Sequence, residues 1–301
     1  MSLELIQRAW DANAFNTGQA EAQLVNPDYW DKRVMDHVRA NIVALQFGVD
    51  KSSELIDGDT LKVTILEEPT AASAVAESAA SAVEKFDLRQ VELSPTEYSR
   101  TYQLTDKQMR RQFFNSMEVM ASKLGYGLAL TADDLTIAEL QSTSTNQVVA
   151  GGVAASALAS SNRMSFRALM EAVTTNEEEK HTQHRAVIVN PVQAMDLSLD
   201  PAFQRSGDAG PGEAANRNGY IGQAAGISVF RTTQIPKSDD VSSAILISDP
   251  EAFGYVFKPT GGIRTEYHAR RRYTDIVSTI DFDVALFRPK AVCRITTWAS
   301  L

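Results

Sequence analysis

Apolar positions along this chain change period several times, and each change marks a different kind of element. Trp30, Val34, Val38, Ile42 and Leu45 recur at helical spacing after Asn26-Pro27, a capping side chain followed by proline, and Gly48 supplies a stop. That spacing predicts a helix. The residues before it show no clear period and read as an extended arm, ordered only on meeting a neighbour. Residues 59–66 (DTLKVTIL) alternate, with Leu61, Val63 and Ile65 on one face, which predicts a strand ended by Glu67-Glu68-Pro69. The run AASAVAESAASAVEK that follows has helical propensity but almost no large apolar surface, so it cannot bury itself unaided. A second strand-like stretch, LRQVELSPTEYSRTYQL, places Tyr98 and Tyr102 on a common side. Residues 55–104 therefore read as one long hairpin with a small-residue tip.

Thr105 opens the next helix, with Gln108 at capping-box spacing. Phe113, Met117, Met120, Leu124, Leu128 and Leu135 continue a stripe at three-to-four spacing. Run through to Gln141, this helix is about 50 Å long, with Gly125 and Gly127 as candidate bends. Residues 142–161 are low in charge and rich in Ser, Thr, Gly and Ala, the composition of a linker or surface loop. Phe166, Leu169, Met170 and Val173 predict another helix, AVIV at 186–189 a buried strand, and Asn190-Pro191 a helix start. Residues 207–219 read as a loop, and 227–230 and 244–247 as strands. This alternation indicates an α/β lobe over 143–250. Beyond it, FGYVFKP, IRTEY, DFDVALFRP and AVCRITTW are all strand-like.

The chain has 301 residues, 44% of them hydrophobic and 22% charged, enough for one large domain or two smaller ones. No apolar run approaches the ~18 residues of a membrane span. Its net charge of −9 argues against tight or sequence-reading nucleic-acid binding, which rests on cations neutralising phosphates. The single Cys293 cannot form an internal disulfide, and it suits a reducing compartment.

Candidate chemistry is sparse. His181 and His184 (HTQH) lack a further ligand at a zinc spacing, and their polar setting favours a solvated loop. Gly219, Gly222 and Gly226 miss the dinucleotide pattern, and KPTGGIR (258–264) lacks the phosphate-loop order; both read as tight turns. The adjacent carboxylates Asp133-Asp134 and Glu67-Glu68 diverge in direction, so neither is a ready acid–base pair. No G-x-S-x-G elbow occurs. The expectation is a chain with no catalytic residues, no cofactor and no metal.

Three C-terminal stretches, GYIGQAAGISVFRTTQIP (219–236), AILISDPEAFGYVFKPTGGIRTE (244–266) and DIVSTIDFDVALFRPKAVCRITT (275–297), carry a family resemblance. In order and wording they resemble the major capsid protein of tailed bacterial and archaeal viruses, the Hong Kong 97-type shell fold. The resemblance implies an α+β fold with five parts. They are an N-terminal arm and helix (1–54), an extended hairpin (55–104), a spine helix (105–142), an axial domain (143–250) and a strand-rich return to the peripheral domain (251–301). It further implies a subunit that self-assembles through hexamers and pentamers into an icosahedral head enclosing double-stranded DNA. The implied partners are a portal and a cement protein, and, because the chain opens without the long charged helical leader that some members carry, either a separate scaffolding protein or prior removal of a leader is implied. Assembly in the host cytoplasm follows, with the protein ending in the virion.

Some members weld subunits through a Lys–Asn bond. Lys62 or Lys85 could supply the lysine, but no Asn follows Asn218, so non-covalent holding is expected. Residues 55–104 carry 9 acidic against 4 basic side chains, and residues 251–301 carry 5 against 8. Glu67, Glu68 and Glu77 on the hairpin and the consecutive Arg270, Arg271 and Arg272 are therefore the expected intersubunit contacts. Two other readings stay open: a cellular nanocompartment shell carrying an enzyme cargo, and, more remotely, a soluble α/β hydrolase.

Overall fold

The computed structural model describes residues 43–55, 58–66, 88–111, 116–206, 220–258 and 263–300. In chain order the strands are β1 (Val49–Asp50), β2 (Leu61–Leu66), β3 (Leu88–Leu93) and β4 (Thr96–Thr105), followed by helices α1 (Asp106–Arg111) and α2 (Ser116–Leu140). Next come β5 (Asn146–Val149), α3 (Phe166–Glu178), β6 (Ala186–Val189), α4 (Pro191–Leu199) and α5 (Pro201–Ser206). The chain closes with β7 (Tyr220–Ala224), β8 (Ile227–Arg231), β9 (Lys237–Ser238), β10 (Val241–Ile247), β11 (Phe253–Lys258), β12 (Ile263–His268), β13 (Tyr273–Leu286) and β14 (Val292–Trp298).

The first sheet is built on β13. One of its edges pairs antiparallel with β4, from Tyr273 opposite Thr105 to Phe282 opposite Thr96. The other edge pairs with β12 and then β11, and β1 adds parallel to β11. Alternation along β13 buries Thr274, Ile276, Ser278, Ile280 and Phe282 on one face. There Ile276, Ile280 and Phe282 meet Leu124, Leu128, Ala129 and Ala132 of α2, with Tyr98 and Tyr102 of β4 packed alongside. The 25 residues of α2 span about 37 Å. Residues 112–115 lie outside the described set, so the structure does not speak to the helix at Phe113. Gly125 and Gly127 remain helical. Gly127 lies under the exposed Arg100 side chain, whose end would have to shift to admit a Cβ there.

The second sheet has the order β5-β14-β10-β6-β8-β7, with β9 also on β10. Its central strands are apolar on both faces. On one side Val187, Val189, Val229, Leu246 and Ile295 pack with Leu169, Ala172 and Val173 of α3 and Leu197 of α4. On the other, Ile188, Ile245, Ile247 and Val292 pack with Ile137 and Leu140 at the end of α2 and with Phe253. One helix thus serves both sheets. Asn190 caps α4 in a full capping box with Gln193, and Ser165 caps α3 by accepting the Ala168 N–H. Cys293 lies in the first of these cores, and burial pushes its thiol up to about 12.

Three expectations need correction. Residues 142–161 are not simply a loop: β5 lies there, parallel to β14. With only Val148 and Val149 as large apolar residues, it is too short to announce itself. The stretch 88–104 is two strands, not one, broken at Ser94-Pro95. β3 stays in the hairpin with β2, and β4 leaves to pair with β13. Residues 251–301 do not stay in one lobe either, because β14 crosses to the second sheet between β5 and β10.

The hairpin root rests on its own subunit. Leu61, Val63, Ile65, Val91 and Leu93 face Leu55, Val256, Ala285 and Phe287. Arg89 donates to the Phe287 carbonyl, and the Ser94 N–H donates to Asp283 Oδ2 at 2.6 Å. Lys62 sits on the outer face, paired with Glu92 at 2.6 Å. The predicted N-terminal helix begins outside the described residues, whose first element is a short 3-10 turn, Leu45–Phe47, closed by the Gly48 N–H onto the Leu45 carbonyl.

Candidate assembly surface

β12 and β13 are joined by a four-residue turn, 269–272, that presents Arg270, Arg271 and Arg272 to solvent. The Arg271 and Arg272 N–H groups donate to the His268 carbonyl at 3.1 and 2.8 Å, and Arg272 takes a left-handed φ of 56°. A bulky residue at that φ is uncommon and needs its surroundings to hold it. Here the hold is a bond to the neighbouring helix: the Asp106 N–H donates to the Arg272 carbonyl at 3.1 Å. Tyr267 Oη donates to Asp106 Oδ2 at 3.0 Å, and this bond is the main cause of a tyrosine pKa above its ordinary value.

These bonds set α1 beside the arginine turn. Thr105 and Gln108 exchange bonds, Thr105 N to Gln108 Oε1 at 3.0 Å and Gln108 N to Thr105 Oγ1 at 3.3 Å, which fixes the helix start. Lys107 and Arg110 are exposed on α1, and Arg110 and Arg272 line an open depression together with Asp106 and Met109. The corner is therefore more basic than the arginine triplet alone. Sequence reasoning missed Lys107 and Arg110, although DKQMRR directly follows the capping residue it recognised. The signal was the charge of α1, and what was missing was the β4–β13 register that delivers it. Glu67, Glu68 and Glu77 lie outside the described residues.

The two histidines face different acids. His184 Nδ1 lies 2.8 Å from Ser248 Oγ and its Nε2 lies 3.2 Å from Glu177 Oε1, whereas His181 Nδ1 is 3.5 Å from Asp249 Oδ2. Ser248, His184 and Glu177 form a hydroxyl–imidazole–carboxylate series, but Ser248 is 1% exposed and its Oγ also accepts from Asn176 Nδ2 at 2.7 Å. A nucleophile must reach its substrate; this hydroxyl is sealed, and the series works as a lock between α3 and the second sheet. Of the glycines expected in tight turns, Gly226 forms one between β7 and β8 at φ 82°, next to Ala225 at φ 51°.

A five-stranded sheet packed on α2 and joined through that helix to a second α/β sheet is the Hong Kong 97-type α+β shell fold. The phage capsid protein family matches residues 89–295, from β3 into β14, and the chain belongs to that family. It is accordingly a capsid shell subunit, one of many copies that assemble into a virion head. Among solved structures, the capsid of Ralstonia phage GP4 is similar at a TM-score of 0.66 and 13% identity, covering 85% of this chain and 88% of that one. Mycobacterium phage Che8 gives 0.62 and 16%, covering 85% and 91%. A virus-like particle from Pyrococcus furiosus gives 0.58 and 11%, covering 89% and 98%. At such identities these likenesses speak to fold, and the family match favours a phage shell over a cellular nanocompartment. No curated protein matches the chain.

Proposed function

We propose that this chain tiles an icosahedral head shell, as hexamers and pentamers, around packaged double-stranded DNA. The observation that carries the reading is the family match, which runs through both sheets and the helix that joins them. The role is structural. In the shell the seven-stranded lobe takes the axial position, and the five-stranded sheet with α2 takes the peripheral one. A separate scaffolding protein, a portal and a cement protein complete the particle, which is assembled in the host cytoplasm. The DNA is enclosed without sequence-specific contact, in keeping with a net charge of −9.

Contacts between copies pair the acidic hairpin residues Glu67, Glu68 and Glu77 with the basic corner of Arg270, Arg271 and Arg272, extended by Lys107 and Arg110. Strand β4 supports a contact between copies: its ten residues place the hairpin root and the basic corner about 33 Å apart at opposite ends. Each exposed ion pair is weak, ~0–1 kcal/mol, so closure depends on repetition by symmetry. Electron microscopy of the purified protein should show closed particles, and a population of small soluble species at high concentration would overturn the shell reading. Changing Arg270, Arg271 and Arg272 together to Glu should leave a folded subunit with native circular dichroism that forms no particles. Normal particles from that variant would refute the pairing while leaving the shell intact.

A further inference from the structure

The outer face of the hairpin changes character along its length. Strand register sets Lys62 opposite Glu92, Thr64 opposite Gln90 and Leu66 opposite Leu88, on the side away from the core that Val63, Ile65 and Val91 enter. The first two pairs are polar, as the solvent side of a two-stranded ribbon should be. The third is a pair of leucines, 60% and 59% exposed. Single exposed leucines are ordinary, but two directly across from one another make one contiguous apolar spot. In sequence Glu67 and Glu68 follow Leu66, and Asp87 precedes Leu88, so the spot has an acidic border.

The basic corner carries the counterpart. Its open depression, about 450 Å³, has Met109 in its lining beside Arg110 and Arg272. Met109 is 36% exposed, and the Tyr267 ring, 55% exposed, is held at the depression by its bond to Asp106. Two large apolar side chains thus sit within a basic border that Arg270 and Arg271 extend along the adjoining turn. Another exposed apolar pair, Met195 and Leu199 of α4, is followed by Asp200, and seating the hairpin there would bring carboxylates together.

We propose that Leu66 and Leu88 of one copy pack on Met109 and Tyr267 of another, as an apolar anchor inside the ring of ion pairs. The inference rests on the pairing of acidic hairpin with basic corner and names what holds that contact. One chain cannot make it alone. Arg89, next to Leu88, is bonded at the Phe287 carbonyl, and the 14 residues of β13 separate that point from the corner by about 45 Å.

The two kinds of contact divide the work. The charges orient the approach and exclude wrong partners, while burial of the leucines supplies the hold. They also differ in their response to salt. Raising it from ~0.1 M to ~1 M shortens the screening length from about 10 Å to about 3 Å and weakens exposed ion pairs, but leaves apolar burial in place.

The test is thiol crosslinking in assembled particles. Leu88→Cys and Met109→Cys are combined in one chain and treated with a short bis-maleimide, which bonds one sulfur at each end. Cys293 is fully buried with its thiol pushed up to about 12, so it stays silent. The combined variant should give covalent multimers on a denaturing gel, and each single variant monomers alone. Leu66→Ser with Leu88→Ser should lower particle yield roughly tenfold at both salt concentrations. Particles of the combined variant that give no multimers would overturn the anchor, as would a wild-type yield from the serine pair. Should the cysteines themselves prevent assembly, the serine yields decide. If multimers are absent while Arg270, Arg271 and Arg272 exchanged for Glu still block assembly, the failure is confined to the anchor. If that triple variant also forms normal particles, the charge pairing has failed with it.

Discussion

Strands β10 and β13 both run through the interior of a sheet, yet they bury their side chains by different rules. In β10, Ala244, Ile245, Leu246 and Ile247 are all fully buried, so neighbours in sequence enter opposite cores. In β13 burial alternates strictly from Thr274 to Phe282, and the intervening Asp275, Val277 and Asp281 are half-exposed. The difference lies in what covers each sheet. The seven-stranded sheet has α3 and α4 on one face and the end of α2 with Phe253 on the other, whereas α2 covers one face of the five-stranded sheet and, among the described residues, the hairpin root covers the other face at the Val256 and Ala285 end. A strand roofed on both faces requires a continuous apolar run, and a stretch roofed on one face, as at residues 274–282, requires only every second residue. Among the described residues, the second design leaves Asp275, Val277, Thr279 and Asp281 of β13 half-exposed along one face.

The contrast breaks most visibly in β10. Ile245→Ala and Leu246→Ala point into different cores, yet each should cost about 2–5 kcal/mol, because both leave cavities in closed packing. Denaturant unfolding of the unassembled subunit measures both. A cost below about 1 kcal/mol for either one would mean that its face of the sheet is open.

The two roofing patterns also explain how much could be read without coordinates. AVIV at 186–189, the 244–247 run and the alternating LKVTIL each announce their strands, because their burial follows from local pattern alone. Capped helices were equally legible at Asn190 and Thr105, where the capping side chain acts within three residues of itself. What stayed hidden depends on long-range pairing. β4 is continuous in wording with β3, and only its register with β13 separates them. β14 resembles its neighbours in composition, and nothing local says that it crosses to the other sheet. The basic corner was half legible for the same reason: Arg270, Arg271 and Arg272 stand out as a run, but Lys107 and Arg110 join them through a strand pairing more than 160 residues apart in sequence. Asp133 was read only as half of a divergent carboxylate pair. Its divergence from Asp134 is real, and it buries Asp133, whose Oδ1 accepts the Ala44 N–H at 3.0 Å.

A smaller effect is expected where the doubly roofed sheet closes its edge with polar groups. Asn176 of α3 accepts from Asn146 Nδ2 at 3.0 Å and donates to Ser248 Oγ at 2.7 Å and to the Ala291 carbonyl at 3.3 Å. It is fully buried. Asn176→Ala strands these partners away from water and should cost about 1–3 kcal/mol, less than the β10 cavities. A double-mutant cycle with Asn146→Ala, followed by denaturant unfolding, should show strong coupling, because the two amides share one bond. Additive losses would mean that each amide is satisfied independently.

The smallest effect belongs to the open face of β13. Val277 lies opposite Thr101 of β4 and Arg264 of β12, between the buried Ile276 and Ser278, with its side chain half-exposed. Val277→Thr keeps a β-branched residue in the strand and adds a hydroxyl that water can solvate, so stability should change by no more than about 0.5 kcal/mol. The same exchange at a β10 position would bury that hydroxyl in an apolar core and cost several times as much. Unfolding midpoints of Val277→Thr and the wild type should therefore nearly coincide in the unassembled subunit. If Val277→Thr instead destabilises the lone subunit by more than about 1 kcal/mol, something on the same chain covers that face at Val277, as the hairpin root covers it at Val256 and Ala285.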